Sequence, residues 1–190
     1  LGLSLRCNNN MLLLQNNNLS FWILAFPDLK KPIGGIKQLH RVSEALCSLG
    51  FKSFLVQENA DFKPDWFTST VNTVSKSEWT SYNNLDPSSN VIILPETFIV
   101  GLTHNPDLLK PGIPKIVFNQ NGSYTFGLNN TSFDVPEVVS LYKHPDIVQI
   151  WCVSSYDKRL LKNCFDLTNE VVQKIINPID IDHGPGKSFV

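Results

Sequence analysis

The sequence lacks the marks of several protein classes. No apolar stretch approaches the roughly 20 residues that cross a bilayer. The apolar run near the N-terminus, Met11 to Leu14, falls short of the roughly 7–15 residues of a signal-peptide core. Charge of one sign is missing too. The chain carries 16 Lys and Arg against 17 Asp and Glu, a net charge of −1, so it advertises no basic surface and nucleic acid is excluded as an expected partner. Cysteine is scarce and unpaired. Cys7, Cys47, Cys152 and Cys164 show no CxxC spacing. Three of them fall in apolar helix or strand patterns and read as small buried hydrophobes, which points to a reducing, cytoplasmic compartment. No pair of His, Asp or Glu residues has metal-site spacing such as HExxH, so no metal is expected. The GxGxxG fingerprint and the GxSxG elbow are absent. Gly186-Lys187-Ser188 imitates the end of a phosphate-binding loop, but Ile181 stands where the loop's first glycine belongs.

What remains is a globular composition: 190 residues, 42% hydrophobic, 17% charged and 11% aromatic. That length can bury a sizeable core. Residues 1–18 are Asn-rich and read as a loosely docked extension. From residue 19 onward, strand and helix signals alternate. "FWILAF" (21–26) is apolar at every position, as in a strand buried on both faces. A helix follows over about 36–49, with Ile36, Leu39, Val42, Leu46 and Leu49 on one stripe and Gly50 where a helix-ending glycine belongs. "FKSFLVQ" (51–57) completes a βαβ unit. A short strand near Thr70–Val74, the strand "NVIILPE" (90–96), a short helix within 104–112 and the strand "PKIVFNQN" (114–121) come next. Then a helix over 135–144 and the strand "IVQIWCVS" (147–154) are expected. A helix over 154–165 follows, opened by Ser154 and Asp157 in capping-box spacing and burying Tyr156, Leu160, Leu161 and Cys164. "EVVQKIINPID" (170–180) closes with a strand and a turn. This alternation predicts an α/β fold: a Rossmann-like, doubly wound, mostly parallel sheet of six or seven strands.

In such sheets ligands bind beyond the carboxyl ends of the strands, where strand order reverses. Four groups of residues fall there: the loop after Phe26 with the glycines beyond it, Glu96, Asn119 to Asn121, and Ser154 with Ser155 after "WCV". Gly34 and Gly35 stand at the start of the first helix, whose free N–H groups and positive dipole end suit a phosphate. They serve either a tight turn or the close approach of a ligand. Asn119, Gln120 and Asn121 form a run of amides that suits sugar hydroxyls, or a loop of turn formers before Gly122. Glu96, at another strand end, either orients a hydroxyl or caps the next segment. His40, one residue off the apolar line of the first helix, reads as a packing or surface histidine. Asn121, Asn129 and Asn130 each head a glycosylation-like tripeptide, a pattern an Asn-rich chain collects by chance.

Taken in order, "PIGGIKQLHRVSEALCSLGF", "VIILPE", "KIVFNQN", "VSSYDKRLL" and "KIINPID" resemble the landmarks of the N-terminal half of retaining GT-B glycosyltransferases of the family 4 type. The resemblance covers about residues 20–180. It implies an acceptor-side Rossmann-like domain over 19–180 and the start of an interdomain linker at 181–190. A C-terminal donor domain, carrying the acidic residues that contact the donor, would lie beyond Val190. The implied enzyme takes part in carbohydrate biosynthesis. It moves a hexosyl or deoxyhexosyl group, with retention, from a nucleotide-sugar to a hydroxyl of a glycan or lipid-linked acceptor. It needs no cofactor besides that donor substrate. It has no transmembrane segment and is cytoplasmic, at most peripheral to a membrane. By resemblance, Gly34 and Gly35 lie under the donor phosphates and sugar, and Glu96, Asn119, Gln120 and Asn121 face the acceptor. Many relatives place a histidine near the reacting centre where this chain has Asn119-Gln120-Asn121. The alternative from another class is a non-catalytic α/β module that binds a sugar or nucleotide. A half-cleft of 190 residues is expected to be inactive alone.

Overall fold

Continuously apolar runs become the middle of the sheet, because only strands covered on both faces can hide every side chain. The computed structural model describes residues 4–7, 10–13, 18–99, 104–125, 135–168 and 170–175. Strand β3 is Ser20–Leu24, β6 is Asn90–Pro95, β7 is Lys115–Asn119 and β8 is Ile147–Cys152. The last three are buried at every residue. The outer strands β4 (Lys52–Gln57), β5 (Asn72–Ser75) and β9 (Val172–Lys174) mix buried and exposed positions. All seven pair in parallel, in the order β5-β4-β3-β6-β7-β8-β9. The fold is thus the expected doubly wound, Rossmann-like α/β sheet. The chain starts it at β3, winds outward to β5, then returns to the other side of β3 to lay down β6.

Two apolar layers cover the sheet. On one face, helix α1 (Gly34–Ser48) packs Leu39, Val42 and Leu46 into a cluster with Phe21, Ile23, Leu55 and Ile93. On the other lie α2 (Lys76–Ser81), α3 (Pro106–Leu109), α5 (Val135–Tyr142) and α6 (Ser155–Phe165), which contribute Trp79, Leu108, Tyr142, Leu161 and Phe165 among others. Strand alternation divides the two: Phe21 and Ile23 face α1, while Trp22 and Leu24 face the opposite layer. A four-residue helix, α4 (Gly122–Thr125), follows β7. Helix α1 ends where Gly50 takes φ 88°, with Phe51 N–H on Leu46 O (3.1 Å) and Gly50 N–H on Cys47 O (3.0 Å), a Schellman ending that favours glycine.

Several expectations need correction. Tyr156 is 62% exposed and Cys164 is exposed. The buried line of α6 is instead Asp157, Leu161 and Phe165, spaced by four and offset by one residue from the predicted line. Of the cysteines read as buried, Cys152 is buried while Cys47 and Cys164 are exposed. Leu49 is 62% exposed because it is the cap residue of α1, past the last packed turn. Within 1–18, Ser4–Cys7 (β1) and Asn10–Leu13 (β2) form an antiparallel pair separate from the main sheet, with β1 beside β8. The predicted linker at 181–190, the end of "KIINPID", and Asn129 and Asn130 lie outside the described residues. Among those described, no helix is long and apolar enough to cross a membrane.

Candidate functional site

Strand order reverses between β3 and β6, so the loops leaving their carboxyl ends run in opposite directions and leave a crevice. A cavity of about 650 Å³ occupies it. One wall is the loop after β3, with Phe26, Pro27 and Leu29, and the first turn of α1. The facing wall is the single turn Glu96–Phe98 after β6, with Gln120, Asn121 and Tyr124 beyond β7. Asp28 braces the first wall. Its carboxylate accepts the N–H groups of Glu58 (3.0 Å) and Asn59 (2.9 Å), tying the loop after β3 to the loop after β4.

The first turn of α1 is open to an anion. Its cap residue, Ile33, has no side-chain acceptor, and the turn holds no acidic residue. The N–H groups of Ile36 and Lys37 fold back onto Ile33 O (3.1 and 3.3 Å). Those of Gly34 and Gly35 make no hydrogen bond among the described residues. Neither glycine takes the left-handed φ that marks Gly50 and Gly112. Backbone geometry therefore does not require glycine at 34 or 35. Space separates them: a methyl group built at Gly34 would meet nothing within 4 Å, and one at Gly35 would come within 3.2 Å of Gln120 Oε1.

Glu96 faces this helix end across the cavity and is 4% exposed. Its Oε1 accepts the N–H of Asn121 (2.9 Å) and its Oε2 that of Gln120 (3.2 Å). The carboxylate thus pins the loop after β7. Burial raises its pKa; the backbone N–H bonds oppose that only in part, and the nearby Asp157 charge adds to it. Asp157 in turn accepts the Ser154 hydroxyl (2.6 Å) and Gly122 N–H (3.2 Å), while Ser154 Oγ accepts Asp157 N–H (3.0 Å). The capping pair expected at the start of α6 is present, and it also holds the segment after Asn121.

The cavity brings together Gly34, Gly35, Glu96, Gln120 and Asn121. It does not include Asn119, which is fully buried. The Asn119 amide donates to Thr125 Oγ1 (2.6 Å) and Tyr142 Oη (2.9 Å), inside the layer between sheet and helices. Gln38 was not anticipated from the sequence. It lines the cavity at 6% exposure, and its Oε1 has no hydrogen-bond partner. The available signal was its place four residues after Gly34, on the same side of α1. Among the described residues, no group of three or more His, Cys, Asp or Glu is placed to hold a metal ion. Comparison with known proteins matches the chain to no family model and to no curated sequence.

Proposed function

We propose that the switch-point cavity is the acceptor-side half of a retaining glycosyltransferase site, completed in the whole enzyme by a donor domain. The observation that carries this reading is the pairing of an uncapped helix end, bare at Gly34, with a buried carboxylate across one cavity. The two walls suit opposite halves of the same reaction. The Gly34 and Gly35 N–H groups, with the helix dipole behind them, match a diphosphate. Glu96 already spends one hydrogen bond per oxygen on the loop after β7, and its remaining lone pairs suit an acceptor hydroxyl. In transfer, the bond from the anomeric carbon to the diphosphate breaks and the diphosphate leaves with the electron pair. The acceptor oxygen bonds that carbon as its proton passes to the departing diphosphate oxygen. The contribution of these residues is to hold the two reactants within reacting distance and to stabilise the leaving anion.

The test is transfer by the protein expressed from its complete reading frame. A panel of nucleoside-diphosphate sugars, with lipid-linked and glycan acceptors, should include one pair that releases nucleoside diphosphate. Gly34→Val should cut that turnover sharply without unfolding the domain. Release from no donor, or undiminished turnover by Gly34→Val, would overturn the reading. Saturable donor binding with no transfer would leave the alternative, a binding module for a sugar or nucleotide.

A further inference from the structure

The four tryptophans of this chain differ in one respect. Trp22 Nε1 donates to Asn90 Oδ1 (2.8 Å), Trp79 Nε1 to Leu108 O (2.7 Å) and Trp151 Nε1 to Gln149 Oε1 (2.9 Å). Trp66 Nε1 is buried and has no partner. A buried indole N–H without an acceptor is costly, and three of the four avoid the cost. Trp66 belongs to the segment between β4 and β5, which meets α1 at His40 and lines a second, partly open cavity of about 450 Å³. His40 of α1 lines the same cavity. It is 2% exposed, its Nδ1 lies 2.9 Å from Ser69 Oγ, and its Nε2 also has no partner. Phe67 joins the two edgewise, with ring centroids 4.8 Å from His40 and 4.5 Å from Trp66. The residues lining this one cavity thus include two whose ring nitrogens lie buried and unpartnered just behind its wall, three contiguous aromatic rings, Ser69, and the charged Lys63 and Asp65.

We propose that this second cavity is a binding site for a single pyranose ring. A pyranose offers both things the walls lack partners for. Its hydroxyls donate and accept, so they can serve the Trp66 N–H and either tautomer of the His40 ring. Its C–H face packs on an aromatic ring. Burial holds the His40 pKa down at about 4, so the ring is neutral near pH 7, and the two charged residues of the lining, Lys63 and Asp65, are of opposite sign, so the site carries no net charge against an uncharged ligand. Entry asks the 62–69 segment to yield, since both nitrogens are covered. Of its residues only Pro64 is buried, and the Phe67 edge on His40 ties it to α1, so opening it exposes far less apolar surface than opening the core. The site lies apart from the switch-point cavity, which is lined by Gln38 and Leu39 of α1 rather than His40. It stands or falls independently of the glycosyltransferase reading.

The four indole N–H signals in an ¹H–¹⁵N spectrum supply the readout, with Trp66→Phe assigning the Trp66 signal. Methyl glucopyranoside, galactopyranoside and mannopyranoside are titrated separately, with glycerol as control. The expected result is a saturable shift of the Trp66 signal alone, at millimolar concentration, with at least one pyranoside and not with glycerol. An oligosaccharide ending in the same sugar shifts the same signal if the source is a glycan terminus. Trp66→Phe, read through a His40 ring signal, should weaken binding about fivefold, the scale of one neutral hydrogen bond. No shift with any pyranoside, or an equal shift with glycerol, would overturn the proposal. The wild-type titration decides the matter by itself if the variant fails to fold.

Discussion

Gly34→Ala is expected to stabilise the protein and to damage its ligand binding at the same time. Glycine in a helix sacrifices conformational entropy that alanine does not, and replacing it where the geometry fits gains about 0.4–1 kcal/mol. The geometry fits here: Gly34 is helical, has no left-handed φ, and a methyl group there meets no atom within 4 Å. The first turn is the least demanding part of a helix, so the low end of that range applies. For a domain of this size a gain of about 0.5 kcal/mol raises Tm by roughly 1–2 °C. Gly34 also lines the cavity, so the same methyl group is expected to crowd an anion held at the Gly34 and Gly35 N–H groups. Thermal unfolding and donor affinity, measured on the same preparation, test both halves. Loss of stability would refute the claim that the position is open. A gain in stability with undiminished affinity would refute the claim that the glycine is kept for a ligand.

Four further outcomes follow from other contacts. Gly122→Ala should cost about 1–3 kcal/mol in urea unfolding, because the added methyl would lie 2.8 Å from Asp157 Oδ1 and 3.1 Å from Leu160 Cδ2. Asn119→Ala should lower stability by about 1 kcal/mol, because the hydroxyls of Thr125 and Tyr142 lose the amide donor and keep only their own 3.4 Å contact, while Gln120→Ala should act on ligand affinity instead. Asp146→Ala should cost about 3 kcal/mol, because the Lys115 ammonium is 1% exposed and 2.9 Å from that carboxylate, whereas Lys115→Met should cost clearly less. The His40 pKa falls from 6.5 to about 4 in the folded state, chiefly through burial. The unfolded chain therefore binds the extra proton first, and stability drops as pH falls from about 6.5 toward 4. The drop is at most about 3 kcal/mol. His40→Gln should flatten that part of the stability profile, and a profile unchanged by the substitution would refute the assignment.

The sheet was legible because its strands differ in kind. "NVIILP" and "KIVFN" are hydrophobic along both faces, which only a strand between two helical layers tolerates, and both are wholly buried. Capping chemistry was legible for a similar reason: Ser154 with Asp157, and Gly50 after Leu49, are local signals satisfied by local bonds. The stripe of α6 was not, because Tyr156 and Cys164 are apolar enough to be buried, and the deciding fact is tertiary. Asp157 is buried and takes the Gly122 N–H, while Leu161 and Phe165 fill the core on the same side of the helix.

The amide run shows where sequence reasoning about a site can be sharpened. Three adjacent residues at a strand end look equivalent as hydrogen-bonding groups, yet they have different surroundings. In β7, Val117 belongs to the layer under α5 and α6. Residues two apart share a face, so Asn119, still within the strand, points into that layer and meets Tyr142. Gln120 and Asn121 have left the strand, and their backbone N–H groups turn to Glu96. Strand parity aims Asn119 inward, and the end of the strand just after it is what leaves Gln120 and Asn121 to line the cavity. Gln38 needs one step more. Its spacing from Gly34 puts it on the glycine side of α1, but that side counts as a site wall only once β6 is known to lie next to β3. The fold supplies that fact, and with it a buried glutamine whose Oε1 has no partner is placed in the wall of the switch-point cavity.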